Sequence, residues 1–343
     1  IKWESTVQKD LGLDFSFMRG RLGGTFGYYH KVTDGTLLNM TPAPSSSYST
    51  VVFNIAKIRN QGLEFDIHGD FIRKKDFRWT GSLNISRNVS KVLDINGGPF
   101  SDPNDRDAMN LGTSVVKEGE PLGLLYGRVA TGIIKTQAQL EAAREEFSLW
   151  TIFDPYLNLG DIAYEYEDGF WKEDVIGHAT PDFFGGYTNT INWNRFTLTA
   201  LFTFSYGNDL IYQKDVSDSG MSSLANRGTR VLNHYSEDNT SSNRPRSMWA
   251  TTYMLSSLNV YDASYLKLKT LSLSYNLPES ICRKVRIKSA SVYGTATNVF
   301  TITSYPGPDP EVSDDPTSVI GGGRDVSTYP TVKSYTFGIR INF

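Results

Sequence analysis

Apolar and polar residues alternate with a period of two along most of the chain, which predicts β-strands with two unlike faces. At one end Tyr335, Phe337, Ile339, Ile341 and Phe343 alternate with Ser334, Thr336, Gly338, Arg340 and Asn342. Residues 196–206 alternate similarly, with Leu201 the one apolar residue on the polar face. Leu63, Phe65, Ile67 and Phe71 alternate with Glu64, Asp66, His68 and Asp70, and Leu11, Leu13, Phe15 and Phe17 with Gly12, Asp14 and Ser16. The pattern predicts nine strands, near 5–18, 21–32, 58–72, 77–91, 183–193, 196–206, 261–277, 285–302 and 331–343. Short turns fall near 19–21, 73–76, 192–195 and 278–284, and long connections near 33–57, 92–182, 207–260 and 303–329.

Such alternation suits a soluble sandwich or a membrane barrel. Three features favour the barrel. Many of the strands run ten residues or more, where sandwich strands run about 5–6. Trp79, Trp193 and Tyr335 sit near strand ends, as aromatic girdles do. The polar faces carry Glu64, Asp66, Asp70 and Arg340, charges that a packed core rejects and a wet or plugged lumen accepts. Alternating short and long connections place the short turns on the periplasmic side, the odd strands running down toward it. The segment 121–129 could be a tenth spanning strand. It would reverse every later strand, so it is assigned to the long 92–182 connection, which also holds one helical stretch, Gln137–Phe147. Leu266 and Leu268 are out of phase with Leu271, Leu273 and Tyr275. Either a bulge near Lys269-Thr270 or an upper part standing above the membrane reconciles them. Single-chain bacterial barrels have an even number of strands, so nine strands predict the C-terminal part of a larger barrel.

Composition narrows the classes further. The 343 residues include 13% aromatics, too many for a disordered chain, and no apolar run of about 18 residues. The net charge of -3 argues against nucleic acid as a partner. The single Cys282, expected unpaired in a turn, excludes a disulfide framework. His30, His68, His178 and His234 fall on different strands and loops, with no HExxH, CxxC or nucleophile-elbow motif, and are expected as polar lumen or loop residues. No catalytic dyad, metal site or cofactor site is predicted. Gly321-Gly322-Gly323-Arg324 does not lie between a strand and a helix, so it is expected as a flexible extracellular loop rather than a phosphate cradle. Asp309, Glu311, Asp314 and Asp315 are expected as solvated loop carboxylates. Trp150, Trp171, Trp249 and Tyr253 in the long connections are the candidates for substrate contact, since a flat ring with a polar edge stacks on sugars and peptides alike. Cations gather in the short turns (Arg19, Arg21, Arg73, Lys74, Lys75, Arg283 and Lys284), and the 92–182 connection is acidic. An acidic rim disfavours anionic ligands and weakly favours neutral glycans or peptides.

The residues also resemble a known family, the SusC/RagA branch of TonB-dependent outer-membrane transporters. Lys2-Trp3-Glu4 with Gln8 and Leu11-Gly12-Leu13-Asp14 resembles its KWE…Q…GLD strand, and Tyr28-Tyr29-His30-Lys31 with Leu37-Leu38 its YY-K-T…LL. Asn60-Gln61-Gly62-Leu63-Glu64, then Glu118-Gly119-Glu120-Pro121-Leu122-Gly123, then Asp262-Ala263-Ser264-Tyr265-Leu266-Lys267-Leu268 follow in the family's order. Asn298-Val299-Phe300-Thr301, Tyr305-Pro306-Gly307 and Asp309-Pro310-Glu311-Val312 complete it. The resemblance implies an all-β, antiparallel transmembrane barrel of about 22 strands. This chain would supply about nine C-terminal strands with long extracellular loops, as one unit over residues 1–343. The plug, which meets TonB, and the earlier strands would precede Ile1, whose surroundings lack an initiator Met or a signal-like apolar segment. It implies a non-enzymatic importer of glycans or peptides in the bacterial outer membrane, working with a SusD-like surface lipoprotein. One departure concerns the family's acidic loop after GD-x-x-Y. Here Gly160-Asp161-Ile162-Ala163-Tyr164 continues as Glu165-Tyr166-Glu167-Asp168-Gly169, with the spacing of Ca²⁺ ligands broken. The terminal Phe343 resembles the aromatic signal read by barrel-assembly machinery. Two other readings predict different behaviour: a soluble or surface carbohydrate-binding protein or glycosidase, and a siderophore-type TonB receptor with no lipoprotein partner.

Overall fold

The computed structural model of the protein describes residues 2–40, 51–95, 107–146, 157–220, 226–247, 254–314, 318, 320 and 322–343. Nine long strands form one sheet: β1 (Ser5–Phe17), β2 (Leu22–Met40), β3 (Val51–Arg73), β4 (Phe77–Asp94), β5 (Phe183–Trp193), β6 (Phe196–Tyr206), β7 (Tyr265–Asn276), β8 (Ser289–Thr303) and β9 (Ser334–Asn342). Their spatial order is their chain order, and every neighbouring pair is antiparallel. The four short turns therefore all lie at one end of the sheet and the long connections at the other.

The register shows why period two matters. One row crosses eight strands as Phe15, Gly24, Ile67, Leu83, Tyr187, Phe202, Leu268 and Phe300. The adjacent row, one residue along, reads Asp14, Thr25, Asp66, Asn84, Gly186, Thr203, Lys267 and Thr301. Opposed residues in an antiparallel pair share a face, so the sheet has one apolar and one polar surface over the part nearer the short turns. The apolar surface is bare: Leu11 is 67% exposed and Phe337 83%. Next to the short turns Phe77, Trp193, Phe196 and Tyr275 stand opposite one another in a single row, with Phe71 edge-on to Trp79 at 5.0 Å.

The expected bulge is present and decides the phase question. Lys269 is unmatched between Leu268 and Thr270 on both sides of β7, which returns Leu266–Leu268 and Leu271–Tyr275 to the same face. The expected loop at 33–57 is corrected: β2 and β3 continue pairing to Met40 and Val51. At about 3.3 Å per residue, the 23 residues of β3 span roughly 76 Å, far beyond an apolar band of about 25 Å. His30 is corrected too. It shares the apolar-face parity, opposite Lys9 and Gln61, where that face turns polar.

The long connections carry the cores. Ala56, Ile58 and Val92, at the upper ends of β3 and β4, pack with Met109, Val116 and Leu122. A second cluster gathers Ile133, Ile162 and Tyr235, and a third Leu210, Ala263, Tyr305 and Val312. The segment 121–129 supplies a short strand, Leu124–Arg128, inside a four-stranded loop sheet with Ala108–Asn110, Ser114–Lys117 and Glu173–His178. Helix α1 (Gln137–Glu146) starts at a capping box: Gln139 N–H donates to Thr136 Oγ1 at 3.2 Å, and Thr136 N–H to Gln139 Oε1 at 3.1 Å. Helix α2 (Gln213–Gly220) follows β6, and α3 (Glu279–Lys284) fills the fourth short turn around the buried, unpaired Cys282.

Candidate functional site at the long-loop end

A concentration of buried charge lies where the last long connection meets the polar wall. Lys267, on the polar face of β7, is 1% exposed. Its Nζ donates to Asp309 Oδ1 at 2.8 Å, to Asp309 Oδ2 at 3.1 Å and to Glu311 Oε2 at 2.5 Å. Lys269, turned inward by the bulge, donates to the same Glu311 oxygen at 2.6 Å. Two ammonium groups thus face two carboxylates. Desolvation alone would make each buried charge unfavourable, and mutual compensation is what permits them here. Tyr265 donates to Glu311 Oε1 at 3.1 Å, and Thr331 to Asp309 Oδ2. Burial pushes both carboxyls upward, but the lysine and Thr331 hydrogen bonds on Asp309, and the two lysines on Glu311, outweigh it and hold both below the usual carboxylate range. The expectation that Asp309 and Glu311 are solvated is therefore corrected. They strap the described residues around 309–311, and Thr331 with them, against the wall. Asp314 is paired as well, with Arg324.

Beside the strap, Tyr212, Tyr261 and Tyr305 meet edge to face, with centroids 6.5 and 5.7 Å apart. Tyr305 donates to the fully buried Asp325 at 2.9 Å, whose other oxygen accepts the N–H groups of Ser327 and Thr328. Burial, then the nearby Asp325 charge, pushes the Tyr305 phenol far above its usual range, so it acts as a fixed donor. Tyr261 donates to Asp215 at 2.7 Å; Arg244 also bonds Asp215 at 2.7 Å, and the Arg230 guanidinium lies 5.2 Å from the Tyr261 ring centre. A cavity of about 620 Å³ opens between the upper polar wall and the strapped segment, lined by Phe184, Thr203, Tyr265, Pro310, Glu311 and Gly322 among others. Aromatic rings, hydroxyls and fully compensated charges suit binding of a neutral, amphipathic ligand.

The loop glycines are docking points. Gly323 has φ +87°, and a Cβ there would come within 2.4 Å of Ala179 Cβ; its carbonyl accepts Ile211 N–H at 2.9 Å. Arg324–Asp325 then pairs with Ile211–Tyr212 in parallel, so the 322–325 part of the glycine run is a seam between two connections rather than the expected flexible loop. The departure after Gly160 also has a shape. Asp168 and Gly169 both have positive φ, 51° and 81°, and close a two-residue hairpin between Tyr166–Glu167 and Phe170–Trp171. Asp161 binds Arg246 through both oxygens, at 2.7 and 3.0 Å. Among the described residues no group of His, Cys, Asp and Glu is placed to hold a metal ion.

Of the four aromatic candidates, Trp171 lies on this hairpin, under the Arg128 guanidinium at 3.9 Å. Trp150, Trp249 and Tyr253 lie outside the described residues. Phe343, 82% exposed, follows the last residue of β9. Sequence reasoning did not single out Tyr212, Tyr261, Arg230 or the pairing of Lys267 with Asp309, whose partners are tens of residues apart; the phase change at Lys269 and the motifs at 262–268 and 309–312 marked the two segments but not their meeting.

A meander of long strands, apolar on one face and polar on the other, with short turns at one end and structured connections at the other, defines an antiparallel β-barrel wall of the outer-membrane type. A model of the TonB dependent receptor-like β-barrel family matches residues 1–200, and the chain belongs to that family. It is 32% identical to TonB-dependent receptor P3 of Formosa agariphila over 353 residues, and 26% identical to TonB-dependent receptor SusC of Bacteroides thetaiotaomicron over 364. All of the chain is covered in both alignments, but only 34% and 32% of those proteins, so it spans about a third of the length of the relatives it matches. The solved structure of the RagAB peptide transporter superposes on the whole chain with a TM-score of 0.79 at 22% identity, covering 36% of that chain.

Proposed function

We propose that this chain forms the C-terminal wall and extracellular loops of a SusC-type, TonB-dependent importer of glycans or peptides in a bacterial outer membrane. The observation that carries the reading is the unbroken apolar row across eight strands, beside an equally unbroken polar one. Lipid is the one solvent that favours such a bare apolar face, and a wet lumen takes the other. In this reading β1 and β9 pair with further strands of the same barrel, a plug contributed by the rest of the protein meets TonB, and a SusD-like lipoprotein caps the long-loop end. Substrate is held without covalent chemistry between that cap and the loops. Trp171 and, where they face the cavity, Trp150, Trp249 and Tyr253 stack on it; Phe343 directs barrel assembly. Similarity to proteins named SusC and RagAB supports the transporter class.

Purification of the whole protein from outer membranes in mild detergent, with mass spectrometry of every component, tests this. A parent about three times this length (the chain covers 34% and 32% of its relatives), co-purifying with a lipoprotein and an oligosaccharide or peptide, is the expected result. Recovery of a lone 38.4 kDa species without detergent would overturn it.

A further inference from the structure

The basic short turns have no part in binding substrate at the opposite end. Arg19 and Arg21 lie in the first, Arg73, Lys74 and Lys75 in the second, Arg195 in the third, and four more cations between 283 and 288 in the fourth. All ten are exposed, and Asp76 and Glu279 are the only carboxylates in these turns. At the long-loop end many cations have carboxylate partners, among them Arg128, Lys172, Arg230, Arg244, Lys267 and Arg324. Two of the ten are in ion pairs: Arg283 with Glu279 at 3.2 Å, an exposed pair of the kind that contributes little, and Arg73 with Asp70 at 3.9 Å, a carboxylate already held by Arg78 at 2.8 Å. Arg21 donates to a backbone carbonyl. The other seven have no ion pair or side-chain hydrogen bond among the described residues.

These cations stand directly beyond the aromatic row that ends the apolar surface. The same turns also expose Met18 (73%), Ile281 (48%) and Val285 (60%). Apolar side chains interleaved with free cations at the edge of an apolar belt match the chemistry of a headgroup layer, where chains are reached below and phosphates alongside. We propose that the short-turn rim is a binding surface for anionic phospholipid headgroups in the leaflet it faces. This rests on the membrane-barrel reading above. A lipid fits better than an acidic protein because the cations follow the perimeter turn by turn, with apolar anchors in the first and fourth turns, rather than gathering on one convex patch.

The whole protein would be placed in nanodiscs of phosphatidylethanolamine with and without phosphatidylglycerol, and retained lipids counted by native mass spectrometry. Each cation near an anionic surface adds roughly fivefold in lipid affinity, so preferential retention of phosphatidylglycerol by about tenfold or more is expected at ~0.1 M salt. The preference should shrink as salt rises, in the unsubstituted protein as well. The variant R19Q/K74Q/K75Q/K284Q/R286Q/K288Q, which removes six of the seven unpaired cations, should lose most of it, and K57Q/K333Q, at the opposite end, should keep it. Absence of a preference, its insensitivity to salt, or its survival in the sixfold variant overturns the proposal while leaving the barrel intact. Capture of an acidic soluble protein at the rim with no lipid preference overturns it as well. Failure to enter nanodiscs at all overturns the barrel reading and this proposal with it.

Discussion

The sheet and the loop assembly are built from one chain by opposite rules. In the sheet most large apolar side chains point outward, and among the described residues none of the buried clusters sits between two layers of it; only the upper ends of β3 and β4 join one. Its order comes from an unbroken hydrogen-bond ladder and from matching each face to its solvent. In the long connections the rules are those of a water-soluble domain: apolar clusters inside, a capped helix, buried charges each given a partner. A Leu such as Leu273 is exposed in one region and a Leu such as Leu140 is buried in the other, and each is in its preferred medium. Exposure therefore has no fixed meaning along this chain; it depends on which solvent a region faces.

Four substitutions or conditions would break or sharpen that contrast. The largest effect is expected from Lys267→Met, which leaves the buried Asp309 without its cation while Glu311 keeps Lys269. Loss of one partner of a buried pair costs about 3–5 kcal/mol, so hydrogen exchange in residues 303–333 should accelerate strongly while the strand ladder stays protected. Equal acceleration in both regions would mean that the strap also holds the sheet. Leu273→Arg attacks the other side of the comparison. On a lipid face the cost is about 2–4 kcal/mol, read by denaturant unfolding in bilayers, and Ser274→Arg, one residue along on the polar face, should be nearly silent. Similar losses at both positions would remove the case for two solvents.

Acid provides a smaller, graded test. Asp309 and Glu311 titrate below ordinary carboxylates, so their stabilisation is complete above about pH 4, the usual unfolded value, and is lost as pH falls through the depressed folded values. Exchange in 303–333 should rise below about pH 4 with β1–β6 unchanged; a loop that stays protected there would show that the ion pairs do not hold it. The smallest effect is expected from Trp171→Leu, which removes the stacking under Arg128. About 0.5–1 kcal/mol of local stability should go, visible as faster exchange in residues 162–173, and any larger fall in substrate affinity would assign the ring to ligand contact.

Legibility followed the same division. The nine strands and four short turns could be read locally, because alternation is a property of neighbours; the parity switch between Leu268 and Leu271 marked the place, but only the register chose the bulge over an upper part standing above the membrane. The hairpin at Asp168-Gly169 is also written locally, since that dipeptide favours two consecutive positive φ values. The extension of β2 and β3 was not. Its outer part lies beyond the apolar band, where no lipid face enforces alternation, and only continued pairing reveals it.

Period-two patterning and turn chemistry thus settled the architecture, since each strand carries its own two-faced instruction and antiparallel neighbours need only short links. What folding alone decided is the meeting of Lys267 with Asp309, of Tyr261 with Asp215 and of Gly323 with Ala179. Those contacts join residues 42, 46 and 144 positions apart (309−267, 261−215, 323−179), fixed by where long connections land on a finished sheet. Nothing local in a loop encodes that landing point, because it depends on the shape of the wall beneath it.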